Sequence, residues 1–218
     1  MTVIAIATIY GKPGKRSEVL KALEPEAKYV RESELTTEAY YFINPVEDVN
    51  LVYGIEVYES VENLETVHKT SGPFQEFVSQ ASALVSKPFD LDFFTPAFGF
   101  LTREKFSKLQ GPDIFLLYVK FVVNPGKRDE AFEHLAELEK VVRDTEEQTY
   151  SYLYATSNSN PDEFIIIERY LNKDAFEVIH RNAPKFLEVF KTLDDKKLVA
   201  SKNIIFATES GIGFLGRD

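Results

Sequence analysis

Hydrophobic and polar positions follow two rhythms along this chain, and both rhythms occur twice. The apolar, β-branched runs TVIAIATIY and DIFLLYVKFVV each predict a β-strand that ends in a Pro-Gly-Lys turn. Helical spacing follows each turn, with Leu23 and Val30 in the first copy and Leu135 and Val142 in the second. The pattern therefore predicts strand, turn and helix near the start of each half of the chain.

The rest of each half predicts two more strands, two helical segments and a last strand. Alternating aromatic residues place Tyr150, Tyr152 and Tyr154 together on one strand, with Tyr40 and Phe42 as the counterparts in the first half. The runs LVYGIEVY and EFIIIERY predict the next strand, and a helix that carries a histidine follows. The resulting order, β-α-β-β-α-α-β, is that of the split-βαβ, ferredoxin-like fold, with an antiparallel sheet covered by helices on one face.

The two halves are related by an offset of 112 residues. The sequence PGKR occurs at 13–16 and again at 125–128, and Tyr58 and His68 align with Tyr170 and His180 without a gap. Beyond the aligned part the offset becomes 114, so that GFLTRE at 99–104 matches GFLGRD at 213–218. We therefore predict a tandem duplication, with domains over residues 1–105 and 113–218.

A single half of this kind would leave one apolar face of its sheet uncovered. On the third strand, Glu56 and Tyr58 point to one face and Ile55 and Val57 to the other, so that both faces carry apolar groups. An apolar sheet face must be covered, and many small proteins cover it by pairing about a twofold axis. The predicted fold class is therefore α+β: tandem ferredoxin-like domains whose antiparallel sheets form an intramolecular dimeric α/β barrel.

Composition narrows the range of partners. The 218-residue chain has a net charge of −10, which disfavours nucleic acids and anionic membranes, and it has no cysteine for disulfides or thiolate metal sites. No basic leader precedes the first apolar run, and no stretch approaches the roughly 20 apolar residues that cross a bilayer. These features favour a cytoplasmic protein that binds a small molecule and no metal, and they leave further homo-oligomerisation open.

The E-x-Y strand, the histidine ten residues after its tyrosine and the Pro-Gly-Lys turn resemble the antibiotic biosynthesis monooxygenase superfamily. The resemblance covers nearly the whole chain, twice, and implies the dimeric α/β-barrel fold. Members include cofactor-free oxygenases of quinols and polycyclic phenols, heme-degrading enzymes, isomerases and proteins that only bind small molecules. The resemblance therefore implies a cofactor-independent monooxygenase of a small aromatic, quinol or polyketide-like metabolite.

The heme-degrading branch of the superfamily is a poor match. That branch combines an Asn on the first strand, a Trp in the E-x-W strand and a His ten residues later. Here Ala7 and Val119 stand at the Asn position, Tyr58 and Tyr170 stand at the Trp position, and the chain has no tryptophan at all. Only the histidines are retained, so heme degradation is the least favoured of the functions considered, and no cofactor is expected.

The retained residues suggest an acid–base site in each half. Helical spacing puts Val61, Leu64 and His68 on one stripe that faces the sheet. A histidine can take the proton of a phenol near neutral pH and so make an electron-rich phenolate that O₂ can attack, while the tyrosine positions the substrate oxygen and the glutamate orients a donor. The candidate catalytic residues are His68, Tyr58, His180 and Tyr170, and the candidate substrate-binding residues are Glu56, Glu168, Tyr40 and Tyr152.

Structural roles compete with this hypothesis. A histidine on an apolar helical stripe is as often a core residue with its hydrogen bonds satisfied, and the chain can equally be a non-catalytic small-molecule-binding or scaffold protein. The two halves also need not be equivalent. Gly54 stands where the second half has Ile166, which predicts more room in the N-terminal cleft.

Overall fold

The computed structural model describes residues 1–109 and 111–217 and contains the predicted order of elements in both halves. Asp218, the last residue of the repeated GFL-x-R motif, lies outside the described residues. The first half contains β1 (Val3–Tyr10), α1 (Arg16–Ser33), β2 (Thr37–Pro45), β3 (Leu51–Tyr58), α2 (Val61–Asn63), a π-helical segment (Leu64–His68), α3 (Gly72–Leu84) and β4 (Asp90–Phe100). After a 3₁₀ turn (Glu104–Phe106), the second half contains β5 (Phe115–Val123), α4 (Arg128–Thr145), β6 (Thr149–Ser157), β7 (Glu163–Tyr170), a π-helical segment (Ala175–His180), α5 (Pro184–Asp195) and β8 (Val199–Leu215).

The eight strands form one closed, antiparallel barrel. The order around it is β1-β3-β2-β8-β5-β7-β6-β4, so each half contributes four adjacent strands. The halves are joined where β2 pairs with β8 and where β4 pairs with β6. Closure leaves neither half with a free sheet edge, and the predicted intramolecular dimeric α/β barrel is confirmed.

The two faces of the barrel bury different residue sets. Ile55 and Val57 point into the barrel, where side chains from both halves form a shared core. Val52 and Tyr58 point outwards, into a separate core between the first-half sheet and its helices. The second half has an equivalent core between its sheet and helices. The faces of the third strand are therefore as predicted, and the outer layer between sheet and helices is where a site can form.

Two predictions about individual residues are wrong. Val61 is 45% exposed because α2 is only a single turn, so the buried stripe begins at Leu64. Tyr150 does not share a face with the two tyrosines that follow it, since the pairing of β6 with β7 shifts between Thr149 and Ser151. The shift turns Tyr150 into the barrel, where its ring stacks on Phe106 with the centroids 3.8 Å apart.

The repeated glycine of the GFL-x-R motif allows the strands of the two halves to cross closely. Gly99 and Gly213 have φ angles of 101° and 102°, in the region that favours glycine. A Cβ at these positions would lie 2.0 Å from the carbonyl oxygens of Tyr152 and Tyr40, respectively. The glycines therefore permit the contacts that close the barrel at both seams.

The repeated arginine of the same motif ties each half to the first helix of the other. Arg103 donates four hydrogen bonds to carbonyls at the C-terminal end of α4 and the start of β6, at 2.7 to 3.1 Å. Arg217 makes the same four contacts at the end of α1, at 2.6 to 3.1 Å. The last carbonyls of a helix lack partners within the helix, so each guanidinium acts as a C-terminal cap supplied by the other half. We call this pair the arginine clasp.

No helix among the described residues is both long enough and apolar enough to cross a membrane.

Candidate functional site

A π-helical segment brings a histidine into the interior of each half. The amide of Lys69 donates to the carbonyl of Leu64 at 2.9 Å, and that of Arg181 donates to the carbonyl of Phe176 at 2.8 Å, so both turns are widened to five residues. Such widened turns are rare and are often found at functional sites. His68 and His180 are thereby buried, with 1% and 0% exposure.

Two carboxylates hold His68 in the first half. Its Nδ1 lies 3.1 Å from Glu34 Oε1, and its Nε2 lies 3.2 Å from Glu26 Oε1. Tyr40 also donates its hydroxyl hydrogen to Glu26, at 3.0 Å. Burial alone would lower the pKa of His68, but the hydrogen bonds to Glu26 and Glu34 and the charge of Glu56 raise it to about 10. His68 is therefore an imidazolium near neutral pH and has no free lone pair with which to accept a proton.

His180 has a different set of partners in the second half. Its Nδ1 lies 2.8 Å from Glu146 Oε2, and Glu146 is the residue that aligns with Glu34. Leu138 replaces Glu26, so the second carboxylate is missing, and Nε2 instead lies 3.5 Å from the hydroxyl of Tyr152. The histidine of the second half therefore has one carboxylate and one tyrosine hydroxyl as its partners.

The E-x-Y motifs form the same pair in both halves. Tyr58 donates to Glu56 at 2.9 Å, and Tyr170 donates to Glu168 at 2.7 Å. Burial raises the pKa of Glu56 to about 7, against the opposing effects of His68 and the tyrosine hydroxyl. Burial likewise raises the pKa of Glu168. Both carboxyls can therefore exchange a proton closer to neutral pH than an exposed glutamate does.

The cavities beside these groups differ greatly in size. The first-half cavity has a volume of about 30 Å³ and is lined by His68, Tyr40 and Glu56 among apolar side chains. The second-half cavity, which we call the C-terminal cleft, has a volume of about 440 Å³ and lies between the sheet and α5. Its aromatic lining consists of Phe121, Phe176, Phe186, Phe190 and Phe206. A water or two fits the first cavity, whereas an aromatic metabolite fits the second.

The expectation of more room in the first half is therefore wrong. A Cβ on Gly54 would lie 3.1 Å from both Phe42 Cε1 and Glu56 Oε1, so neighbouring side chains already fill the space that the glycine leaves. The first-half cavity is also narrowed by Phe89. Phe89 comes immediately before Asp90, the residue that pairs with Thr8. When the pairing of the last strand is compared between the two halves, Lys202 of β8 stands in the position of Phe89.

The candidate residues are distributed unevenly over these cavities. In the first half, His68, Tyr40 and Glu56 meet at the small cavity, and Tyr58 is not in its lining. In the second half, Glu168 is the one candidate that lines the C-terminal cleft. His180, Tyr152 and Tyr170 are buried outside that lining, and of these Tyr170 is connected to it by its hydrogen bond to Glu168.

The carboxylates that bind the histidines were not among the site residues predicted from the sequence. Glu34 and Glu146 stand at the ends of α1 and α4, 34 residues before His68 and His180. Their alignment at the offset of 112 residues would have identified them as a repeated pair. Glu26 has no counterpart in the second half, so the repeat could not identify it. No group of three or more metal-ligating side chains is arranged to hold a metal ion in the part of the chain that the structure describes.

Solved structures share this architecture over the whole chain. A candidate monooxygenase from Lactobacillus acidophilus NCFM is 18% identical, with a TM-score of 0.80 over 100% of this chain and 99% of that one. Another from Fusobacterium nucleatum subsp. nucleatum is 16% identical, with a TM-score of 0.85 over 99% and 94%. An anthrone oxidase-like protein is 12% identical, with a TM-score of 0.65 over 99% and 94%. At these identities the likeness shows the fold alone.

Comparison at the level of sequence identifies the family. No curated protein matches the chain. The sequence model for the antibiotic biosynthesis monooxygenase domain matches it twice, over residues 2–80 and 114–192. The two matches are separated by the same 112 residues as the internal repeat, and together they cover well over half of the chain. The chain therefore belongs to the antibiotic biosynthesis monooxygenase family, as a tandem duplication of its domain.

Proposed function

We propose that this protein is a cofactor-independent monooxygenase that oxidises a small aromatic, quinol or polyketide-like metabolite in the C-terminal cleft. One observation carries the proposal: a cleft of about 440 Å³, walled by five phenylalanines, contains a single buried carboxyl, that of Glu168. An aromatic wall suits a planar substrate, and a buried carboxyl with a raised pKa suits proton transfer.

We also propose a cytoplasmic location for the protein, which is consistent with the absence of cysteine from its sequence.

Glu168 would act as the base in this reaction. In its ionised form it would take a proton from a phenolic hydroxyl or from an activated methylene, leaving an electron-rich anion that can transfer an electron to O₂. Oxidation of a methylene balances as R₂CH₂ + O₂ → R₂C=O + H₂O, so the substrate supplies all four electrons and no reductant is consumed. Glu168 would return its proton to the departing water, and the apolar walls would protect the intermediates from solvent.

The other candidate residues would act through Glu168 or serve the fold. Tyr170 donates to Glu168 and would orient it, while His180 would hold Tyr152 and Glu146 in place behind the cleft. Among the four first-half candidates, His68, Glu56 and Tyr40 line a cavity too small for the substrate, and Tyr58 lies outside its lining. We assign that set to stability.

Matched variants in the two halves test the proposal. Glu168→Gln removes the base and keeps the shape, and it should lower O₂ consumption with a panel of anthrones and quinols by about 10²- to 10³-fold. Glu56→Gln makes the same change in the first half and should leave the rate within about twofold. Equal rates for Glu168→Gln and the wild type, or an equal loss in both variants, would remove Glu168 from its role as the base.

A non-catalytic small-molecule-binding function is the second candidate. It is favoured by one observation, that Glu168 alone among the candidate residues reaches the cleft while the histidine lies outside its lining. Such a protein would quench or enhance the fluorescence of an aromatic ligand with a defined Kd but consume no O₂ with any member of the panel. Binding with consumption supports the monooxygenase, and binding without it supports this alternative.

A further inference from the structure

We propose that the ligand of the C-terminal cleft is a hydroxyaromatic carboxylate, whose anionic group is bound by Arg181 and Lys202 at the mouth of the cleft. The inference rests on the proposed function and names the substrate class. Both side chains belong to the cleft lining and both are exposed, whereas Glu168, which also belongs to the lining, is buried. The cleft thus has one buried acidic point and two exposed cations.

Neither cation forms a salt bridge within the part of the chain that the structure describes. Within the described residues, neither Arg181 nor Lys202 lies within 4.0 Å of a carboxylate, although nearby lysines do. Lys185 pairs with Glu137 and Glu188, at 2.7 and 3.0 Å. A chain with a net charge of −10 offers many carboxylates, so two unpaired cations on one cleft stand out. They are available to a ligand.

The surroundings of Lys202 favour an anion held close to an aromatic body. Its Nζ lies 5.5 Å from the centre of the Phe190 ring, on the aromatic wall of the cleft. Asp194 is the one exposed carboxylate in the lining, and it offsets part of the positive charge. The mouth retains an excess of one positive charge after that offset. A ligand carboxylate there would gain attraction that increases as the aromatic body excludes water.

The first half lacks this arrangement. Lys69 aligns with Arg181, but it pairs with Glu65 at 2.6 Å, and Phe89 occupies the position of Lys202. The anion site is therefore a property of the second half, where the large cavity is also found. The charges of the lining also set the orientation of the ligand: a carboxylate beside Glu168 would be repelled, whereas a hydroxyl can donate to it.

Binding of a matched probe pair tests the inference. We would titrate the full chain with 6-hydroxy-2-naphthoic acid and with its neutral amide, 6-hydroxy-2-naphthamide, by ligand fluorescence at low ionic strength. The acid should bind about tenfold more tightly than the amide, since two charged donors face its carboxylate. Raising the salt concentration from 0.05 to 0.5 M should erode that preference and leave the affinity for the amide unchanged.

Variants of the two cations show which side chains cause the preference for the acid over the amide. Arg181→Gln and Lys202→Gln should each reduce the affinity for the acid by about threefold, and the double variant should abolish the preference. Lys69→Gln is the matched control in the first half and should change nothing. Equal affinity for acid and amide, or a preference that survives the double variant, would overturn the anion site while leaving an aromatic-binding cleft. Failure of both probes to bind, together with no O₂ consumption, would instead overturn the proposed function.

Discussion

The two halves of this protein share their motif residues but differ in what those residues enclose. Each half keeps the buried histidine, the glutamate at the end of the first helix and the E-x-Y pair. In the first half a second carboxylate fixes the histidine as a cation beside a cavity of about 30 Å³. In the second half that carboxylate is a leucine and the cavity is about 440 Å³.

This difference separates the residues that build the fold from those that make a site. Groups retained in both copies form the same hydrogen bonds whether or not a cleft is present, so their retention does not by itself identify a site. The unrepeated positions, Leu138 against Glu26 and Lys202 against Phe89, distinguish the half with a cleft. In a duplicated chain, differences between the copies are therefore better guides to a binding site than identities.

The arginine clasp offers the strongest test of how independent the halves are. Arg103→Met removes four hydrogen bonds at the end of α4, next to Glu146, and Arg217→Met removes the equivalent four at the end of α1. Each variant should lower the free energy of unfolding by about 3–5 kcal/mol, because four backbone carbonyls, three of them in partly buried contacts, lose a charged donor. Urea-induced unfolding would measure both losses.

Ligand binding should distinguish the two clasp variants. Arg103→Met loosens the second half, so we expect it to weaken binding of the aromatic probes, whereas Arg217→Met should leave their affinity unchanged at a temperature where both variants are folded. Lys140→Met, on the exposed side of α4, is the control and should change stability by less than about 0.5 kcal/mol. A loss below about 1 kcal/mol in both clasp variants would show that the clasp contributes little.

The charge state of His68 predicts a pH dependence that arises in the first half. The folded pKa of about 10 lies above the unfolded value of about 6.5, so the stabilisation is complete below pH 6.5 and is lost as the pH rises towards 10. We expect the free energy of unfolding to fall by about 3–4 kcal/mol between pH 7 and pH 10. The raised pKa of Glu56 acts in the same direction at lower pH, between about 4.5 and 7.

A variant of Glu26 assigns this dependence to the first half. Glu26→Gln keeps an acceptor for Tyr40 but removes one carboxylate from His68, so the pKa of His68 should fall and the loss of stability above pH 7 should shrink. Glu24→Gln, on the exposed side of the same helix, should leave the pH profile unchanged. NMR titration of the His68 ring gives the pKa directly, and an ordinary value near 6.5 in the wild type would contradict the assignment.

The sequence predicted the fold because the repeat and the strand and helix patterns are local properties. The offset of 112 residues, the barrel and the burial of His68 and His180 all followed from spacing. The position of Tyr150 did not, since a register shift in a strand pair depends on the partner strand. The strand pattern could not show that one extra residue would turn that side chain into the barrel.

The sizes of the two cavities could not be predicted from local sequence patterns. Gly54 suggested space in the first half, but the volume depends on side chains from several elements, including Phe42 and Phe89. Likewise, the effect of Glu26 on His68 depends on how α1 lies against the π-helical segment. Packing of this kind is set by tertiary structure, so the sequence alone supplied one member of the C-terminal cleft, Glu168, and not the shape of the cleft.

Gly54→Ala gives the smallest expected effect and tests the closed character of the first-half cavity. The added methyl would lie 3.1 Å from Phe42 Cε1 and Glu56 Oε1 and 3.3 Å from Ala7 Cβ, so these neighbours must move by a few tenths of an ångström. Loss of backbone freedom in the unfolded chain offsets that cost by about 0.4–1 kcal/mol. We expect a net change in unfolding free energy within about 1 kcal/mol and no change in probe affinity.

Ile166→Val is the matched change in the second half, and it should lower the free energy of unfolding by about 0.5–1.5 kcal/mol. If the wild type instead binds the ligand in its first half and Gly54→Ala abolishes that binding, the space beside Gly54 is open. That outcome would reverse the assignment of the two halves.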